Sequence, residues 1–339
     1  MRPVVLPPNG IPRFYLGGPE IAALRGTEPA GDRVPEDWVG STTTVFGDDE
    51  LGLSRLPDGR LLRDAAAADP VGFFGPDHAA HRGADPALLV KLLDAGERLP
   101  VHVHPDDRFA REALGTRYGK TEAWIVVATT KPDASVAAGW REGIDAETLE
   151  RWVRAQDHDA LLGALNPMPV SAGDAIFVPA GTAHAIGDGV LIVELQQPTD
   201  LSVLLEWDGF GIADELEATL GLGWDAALRC VDLAAQDPAA LRADPAADGA
   251  RGVTSLLPPA ADRFFRAERI APAPVAELEP GFAIVVAIAG AGALHSDEGE
   301  PLPIRRGDTI LVPWAAGACR VEGDVVAIAC RPPATGGRR

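Results

Sequence analysis

Cysteine, lysine and long apolar runs are all scarce in this chain of 339 residues. The cysteines are Cys230, Cys319 and Cys330, an odd and sparse set in the later half, which excludes a disulfide framework and leaves them as small buried hydrophobes. Lys91, Lys120 and Lys131 are the only lysines among many arginines. A lysine kept where arginine is otherwise used marks a place that needs a compact ammonium. No apolar run approaches the roughly 20 residues that a membrane helix requires, so no membrane partner is expected. The opening MRPVVLPPNGIPRF puts prolines where a signal peptide carries its apolar core, which predicts a cytoplasmic protein. A net charge of −20 supplies no clustered cations for a phosphate backbone, so no nucleic-acid partner is expected. A small anionic substrate remains compatible if a few cations line one cleft. Nothing in the sequence reports the oligomeric state.

What is present is a succession of short strands. Residues 1–86 are rich in Pro, Gly and Asp and read as an irregular lead-in wrapping the first β unit, with Trp38 and Ser41 of PEDWVGSTTT either near a cleft or packed in a lid. From 87 onward apolar strands are predicted at 88–93, 99–104, 123–128, 175–178, 190–196 and 201–207. Between them, Asp106 and Asp107 open a helical run as an N-cap, and 144–166 is amphipathic at the helical period, a helical insert. Residues 210–260 turn helical and Ala-rich, ending in QDPAALRADPAADGA, and read as a connector. A second strand-rich block follows from 261 to 335. Many short strands separated by Gly and Pro turns predict an antiparallel, mainly β protein of the sandwich or jelly-roll type. A repeat supports two similar units: GDAIFVPAGTAHAI at Gly173 is echoed by GDTILVPWAAGACR at Gly307.

The chemistry concentrates in the first unit. In Leu99-Pro100-Val101-His102-Val103-His104, the alternation of a strand puts both imidazoles on one face. Glu122 follows in the next apolar strand and His184 ends the first copy of the repeat, a histidine-rich set with one carboxylate that suits zinc, iron, manganese or nickel. In the second copy the place of His184 falls on Ala318 and no HxH precedes it, so the second unit is predicted to be metal-free. Lys91, inside an apolar strand, is expected to snorkel or to pair with a carboxylate. His78, His81, His158 and His295 lack such context and are expected at the surface.

Gly96-x5-His102-x-His104 and Gly173-x5-Pro179-x-Gly181-x2-His184 resemble the two motifs of the cupin superfamily. LLVKLLDA, VHVHPDD, GKTEAW, GDAIFVPAGTAHAIGDG and VELQQPTDLS further resemble, in order, the blocks of type I mannose-6-phosphate isomerases of the shorter bacterial form. The resemblance implies two cupin barrels with helical insertions. Residues 87–209 would be the metal-binding barrel, with 1–86 packed on it, and 261–335 the metal-free one. It further implies zinc held by His102, His104, Glu122 and His184, with Fe2+, Mn2+ or Ni2+ as other candidates, and an active-site lysine at Lys120. The implied activity is interconversion of mannose 6-phosphate and fructose 6-phosphate through an enediol, so the expected partner is a small sugar phosphate. Glu194, close after the His184 turn, is a candidate base if it points inward; a metal-bound water is another. Two positions depart from the family pattern: His102 stands at its glutamine, and Leu204 at an arginine that sits over the sugar, so either another group replaces that arginine or the substrate differs. Two other readings are a cupin oxygenase with a three-histidine, one-glutamate iron site and a non-catalytic sugar-binding bicupin.

Overall fold

The structure, a computed structural model, describes residues 1–243, 250–297 and 299–334. Part of the expected connector, 244–249, and residues 298 and 335 of the second block therefore lie outside the described residues. The chain is mainly β, built from four antiparallel sheets in two facing pairs. In the first pair a seven-stranded sheet runs in the order Arg242–Ala243, Ala175–Val178, Glu122–Thr129, Val190–Gln196, Leu89–Asp94, Glu36–Val39 and Gly10–Ile11. Facing it is a five-stranded sheet of Val203–Leu204, His102–Val103, His184–Ile186, Ser135–Trp140 and Leu165–Pro169. The second pair sets a six-stranded sheet centred on Ala283–Ala289 and Val326–Arg331 against a four-stranded one that includes Val275–Leu278 and Cys319–Gly323.

The strands of the seven-stranded sheet read as near-continuous apolar runs because both of its faces are covered. Val90, Leu92, Ile125, Val193 and Leu195 point to one core, shared with Ile284, Val286, Leu311 and Ile328 of the six-stranded sheet and with Leu62, Phe73 and Phe74 of short helices. The two large sheets thus lie back to back. On the opposite face Leu93, Trp124, Val126 and Ile192 meet Val136, Ala138 and Ile186 of the five-stranded sheet. Side chains alternate along a strand, so Lys91, Glu122 and Glu194, each an even number of residues from a member of this second set, also face inward, between the first pair of sheets.

The lead-in does not simply wrap the first unit. Glu36–Val39 and Gly10–Ile11 extend the seven-stranded sheet, but Val4–Val5 pair with Ile310 and Leu311 of the second unit. Hydrogen bonding decides this, since a bare sheet edge beside Thr309–Val312 takes up the first available extended segment. Trp38 is likewise in no lid: it is fully buried in its strand beside Ile11 and Leu89. The helical segment expected after residue 144 forms as Ala146–Ala155 and His158–Ala164, each N-capped by an aspartate, Asp145 and Asp157. His78 corrects another expectation, since it is buried, stacked on Phe74 and bonded through Nε2 to the Asp85 carbonyl at 2.7 Å. No helix among the described residues is long and apolar enough to cross a membrane.

Candidate metal centre

Strand pairing brings the three histidines together. His184 is the cross-strand partner of His102, and His104 follows directly after the strand His102–Val103. Their ligating nitrogens all lie within 4.8 Å of one another, and all three rings are buried. Each ring gives Nδ1 to a main-chain carbonyl at 2.8 Å: His102 to Pro100, His104 to Leu201 and His184 to Thr182. A carbonyl only accepts, so Nδ1 carries the hydrogen and Nε2 is left as a bare lone pair, the arrangement found behind metal-ligating imidazoles. Burial, reinforced by the neighbouring cationic groups, pushes His102 well below its ordinary pKa and His104 down to about 3, so both rings are neutral.

Glu122 enters from the seven-stranded sheet. Its Oε2 is 3.0 Å from His104 Nε2 and its Oε1 is 3.2 Å from His184 Nε2. These are contacts between acceptors, because the rings hold their hydrogens on Nδ1. Both Glu122 Oε2 and His184 Nε2 are buried without a hydrogen-bond partner. Lone pairs and a carboxylate converging in this way call for positive charge between them, so the donor set fits a divalent metal. Burial would raise the Glu122 pKa, but the Lys120 ammonium at 3.3 Å holds it well below the usual range.

Lys120 Nζ lies 3.0 Å from His104 Nε2. The backbone here is fixed by Asp107, whose Oδ1 accepts from Gly119 N and from Gln197 Nε2, while Gln197 Oε1 accepts from Thr121 N. Gly119 has no room for a side chain, since a Cβ would stand 2.3 Å from the Pro105 carbonyl oxygen. Asp106 is the N-cap of Asp107–Leu114, accepting from Phe109 N at 2.7 Å.

Beside the histidines a second row of charge crosses the seven-stranded sheet. Lys91 is the cross-strand partner of both Trp38 and Glu194, and Glu194 is that of Trp124. Lys91 is fully buried, 3.4 Å from Glu36 and 3.6 Å from Glu194, with its ammonium 4.9 Å above the Trp38 ring. It pairs with carboxylates rather than snorkelling. Burial alone would raise the Glu36 pKa, but Lys91 and Arg13 beside it, with hydrogen bonds from Tyr15 and Trp38, hold it at about 2. Glu194 goes the other way: burial, with Glu122 adding to it and Lys91 opposing, pushes it up to about 8. It faces inward, and its Oε2 has no hydrogen-bond partner.

These residues line one narrow cavity of ≈ 40 Å³, together with Arg13, Tyr15, Leu99, Asp200, Ser202 and Leu204. Of the six residues singled out in the sequence, His102, Lys120, Glu122 and Glu194 line it, and His104 and His184 stand against Glu122 beside it. Sequence reasoning missed Arg13, Tyr15, Glu36 and Asp200. For Glu36 there was a signal, because a lysine inside an apolar strand needs a carboxylate on the adjacent one.

No family model matches the chain. A mannose-6-phosphate isomerase of Streptococcus mutans is 44% identical over 113 residues, 33% of this chain and 34% of that protein. The probable mannose-6-phosphate isomerase GmuF of Bacillus subtilis is 40% identical over 199 residues, 59% of each. The chain thus spans between about a third and three fifths of the curated relatives it matches. By fold, the crystal structure of mannose 6-phosphate isomerase from Bacillus subtilis superposes with a TM-score of 0.79 over 98% of this chain and 100% of that one, at 24% identity. A mannose 6-phosphate isomerase bound with zinc and yttrium superposes with a TM-score of 0.74 over 98% and 100%, at 15% identity. In segments of its sequence the chain is thus similar to mannose-6-phosphate isomerases, and it shares their fold along nearly its whole length.

Proposed function

We propose that the protein is a metal-dependent aldose–ketose isomerase that interconverts mannose 6-phosphate and fructose 6-phosphate, and that each facing pair of sheets is a cupin barrel. The observation that carries the proposal is the convergence of three unprotonated Nε2 atoms with the Glu122 carboxylate, next to the cavity that Lys120 and Glu194 line. The relatives named above are isomerases of this kind, whereas nothing in the site or the comparisons favours the oxygenase or the non-catalytic reading.

In this reading His102, His104, His184 and Glu122 hold a divalent ion, zinc being the family expectation with iron, manganese and nickel as the other candidates. The ion would supply Lewis-acid stabilisation of the negative charge that develops on neighbouring substrate oxygens. The remaining steps belong to side chains. Glu194 takes the proton from C2 of the aldose and returns it to C1, while the proton of the 2-hydroxyl passes to O1, so that an enediol stands between the two transfers. A carboxylate with a pKa near 8 suits both directions, because it gains and loses a proton close to neutral pH. Lys120 donates to the substrate oxygen on which charge builds. Glu36 neutralises Lys91, so that Glu194 is not locked as the anion of a single ion pair. The apolar wall of Leu93, Leu99, Ile186 and Leu204 keeps bulk water from the enediol.

The deciding experiment incubates protein loaded separately with Zn2+, Fe2+, Mn2+ and Ni2+ with mannose 6-phosphate and follows fructose 6-phosphate in a coupled assay. Turnover with at least one metal and none after chelation is expected. Absence of turnover with every metal would remove the isomerase reading.

A further inference from the structure

Three cations line the cavity, and they are not equivalent. Lys91 is flanked by two carboxylates and its side chain is 2% exposed. Lys120 lies against Glu122 and His104, with a side-chain exposure of 6%. Arg13 is the most open of the three, at 14%. It stands in the segment between the strand Gly10–Ile11 and the helix Glu20–Arg25. That segment is pressed onto the seven-stranded sheet where Gly17 bridges to Ala95, and a Cβ on Gly96 would stand 2.2 Å from the Gly17 carbonyl oxygen.

Asp200 grips the Arg13 guanidinium in a fork, Nη1 to Oδ2 at 2.9 Å and Nη2 to Oδ1 at 3.2 Å. Asp200 is itself fixed, since its Oδ2 also accepts from Phe46 N. A guanidinium has five N–H groups, and the fork uses two. Nε lies 3.4 Å from Glu36 Oε1 but makes no hydrogen bond, and it is buried. Arg13 therefore keeps donors to spare while lining the cavity. Beside it the wall is largely apolar: Phe14, Leu99, Ile186 and Leu204. A cavity of ≈ 40 Å³ holds about three waters, so a sugar phosphate enters only by displacing wall side chains, and Arg13, the least buried of the three cations, is the one it meets first.

We propose that Arg13, oriented by Asp200, binds the phosphomonoester end of the substrate and thereby sets the preference for a phosphorylated sugar. This rests on the isomerase reading for the identity of the sugar, but the anion site is a claim of its own. Planar N–H pairs on a guanidinium match phosphate oxygens two at a time. Asp200 acts through Arg13 as a positioning residue, holding the plane that a free arginine would lose to rotation.

The test compares wild type, Arg13→Lys and the charge-balanced double variant Arg13→Gln/Asp200→Asn, which leaves no unpaired carboxylate to unfold the site. Two quantities are read: KM and kcat for mannose 6-phosphate, and the rise in melting temperature of the metal-loaded protein produced by inorganic phosphate. The double variant should raise KM about 10- to 100-fold, with a smaller change in kcat, and should lose the stabilisation by phosphate. Arg13→Lys should recover part of both. A double variant with wild-type KM and undiminished stabilisation by phosphate would overturn the role of Arg13. If wild type fails to turn over mannose 6-phosphate yet phosphate still stabilises it through Arg13, the isomerase reading falls and the anion site stands.

Discussion

The two repeat turns share their framework and differ in their chemistry. Gly173 and Gly307 both take positive φ, 98° and 92°. Asp174 accepts from Ser171 N and Asp308 from Arg305 N, each at 2.9 Å. The backbone locks match as well: Gly173 N bonds to Val126 O and Gly307 N to Ala287 O, both at 2.8 Å. Strand register then equates positions across the copies. Glu122 pairs with Val178 as Ala283 does with Val312, and Glu194 pairs with Trp124 as Ala329 does with Val285. With Ala318 at the place of His184, three site residues of the first copy are alanines in the second. The turn is therefore a folding device, and the site is a small set of substitutions laid over it.

The largest expected break of this comparison is His184→Ala, which gives the first turn the second turn's residue. Metal analysis and the coupled assay should both read zero, while the far-ultraviolet circular dichroism stays that of the folded chain. A retained metal equivalent would mean that the imidazoles are not the ligands. Glu194→Gln separates binding from proton transfer: kcat should fall by about 10²- to 10⁴-fold with metal content unchanged. Equal loss of metal and activity would make Glu194 a ligand instead.

The next effect is on stability. Glu36 has a pKa of about 2 in the fold against an ordinary 4.5. A depressed carboxylate pKa stabilises the fold above its unfolded value, and that contribution vanishes as pH falls through the folded value. At ~1.4 kcal/mol per pH unit the contribution is on the order of 3 kcal/mol. Glu36→Gln should therefore melt well below wild type above pH 5, and the gap should close between pH 4.5 and 2. A gap that is constant with pH would show that the carboxylate's charge is not what matters. The smallest effect is expected from Ala318→His, on the exposed second turn. With alanine at 283 and 329, the register counterparts of Glu122 and Glu194, the variant should bind no additional metal and change stability by less than about 0.5 kcal/mol, as checked by metal titration and melting.

Much of the candidate site was legible because its histidines come from local patterns, His-x-His in alternating sequence and a Gly/Pro-marked turn. The repeat likewise announced two related units. What stayed hidden depends on contacts distant in sequence. Arg13 meets Asp200 across 187 positions, and no periodicity links them. The parting of Val4–Val5 from the rest of the lead-in follows from which sheet edge was free. His78 looked superficial because a short polar-looking helix conceals how closely Phe74 and Phe282 pack beside it.

The back-to-back union of the large sheets also accounts for the half without the three-histidine cluster. Val90, Leu92, Ile125, Val193 and Leu195 are strands of the reactive half, yet the surface that shelters them comes from Ile284, Val286, Leu311 and Ile328. Cutting the chain between the halves would strip a broad greasy plane on each fragment. The silent copy is thus kept as the rear wall of its twin, and the chain can shed neither half and remain a single dissolved molecule.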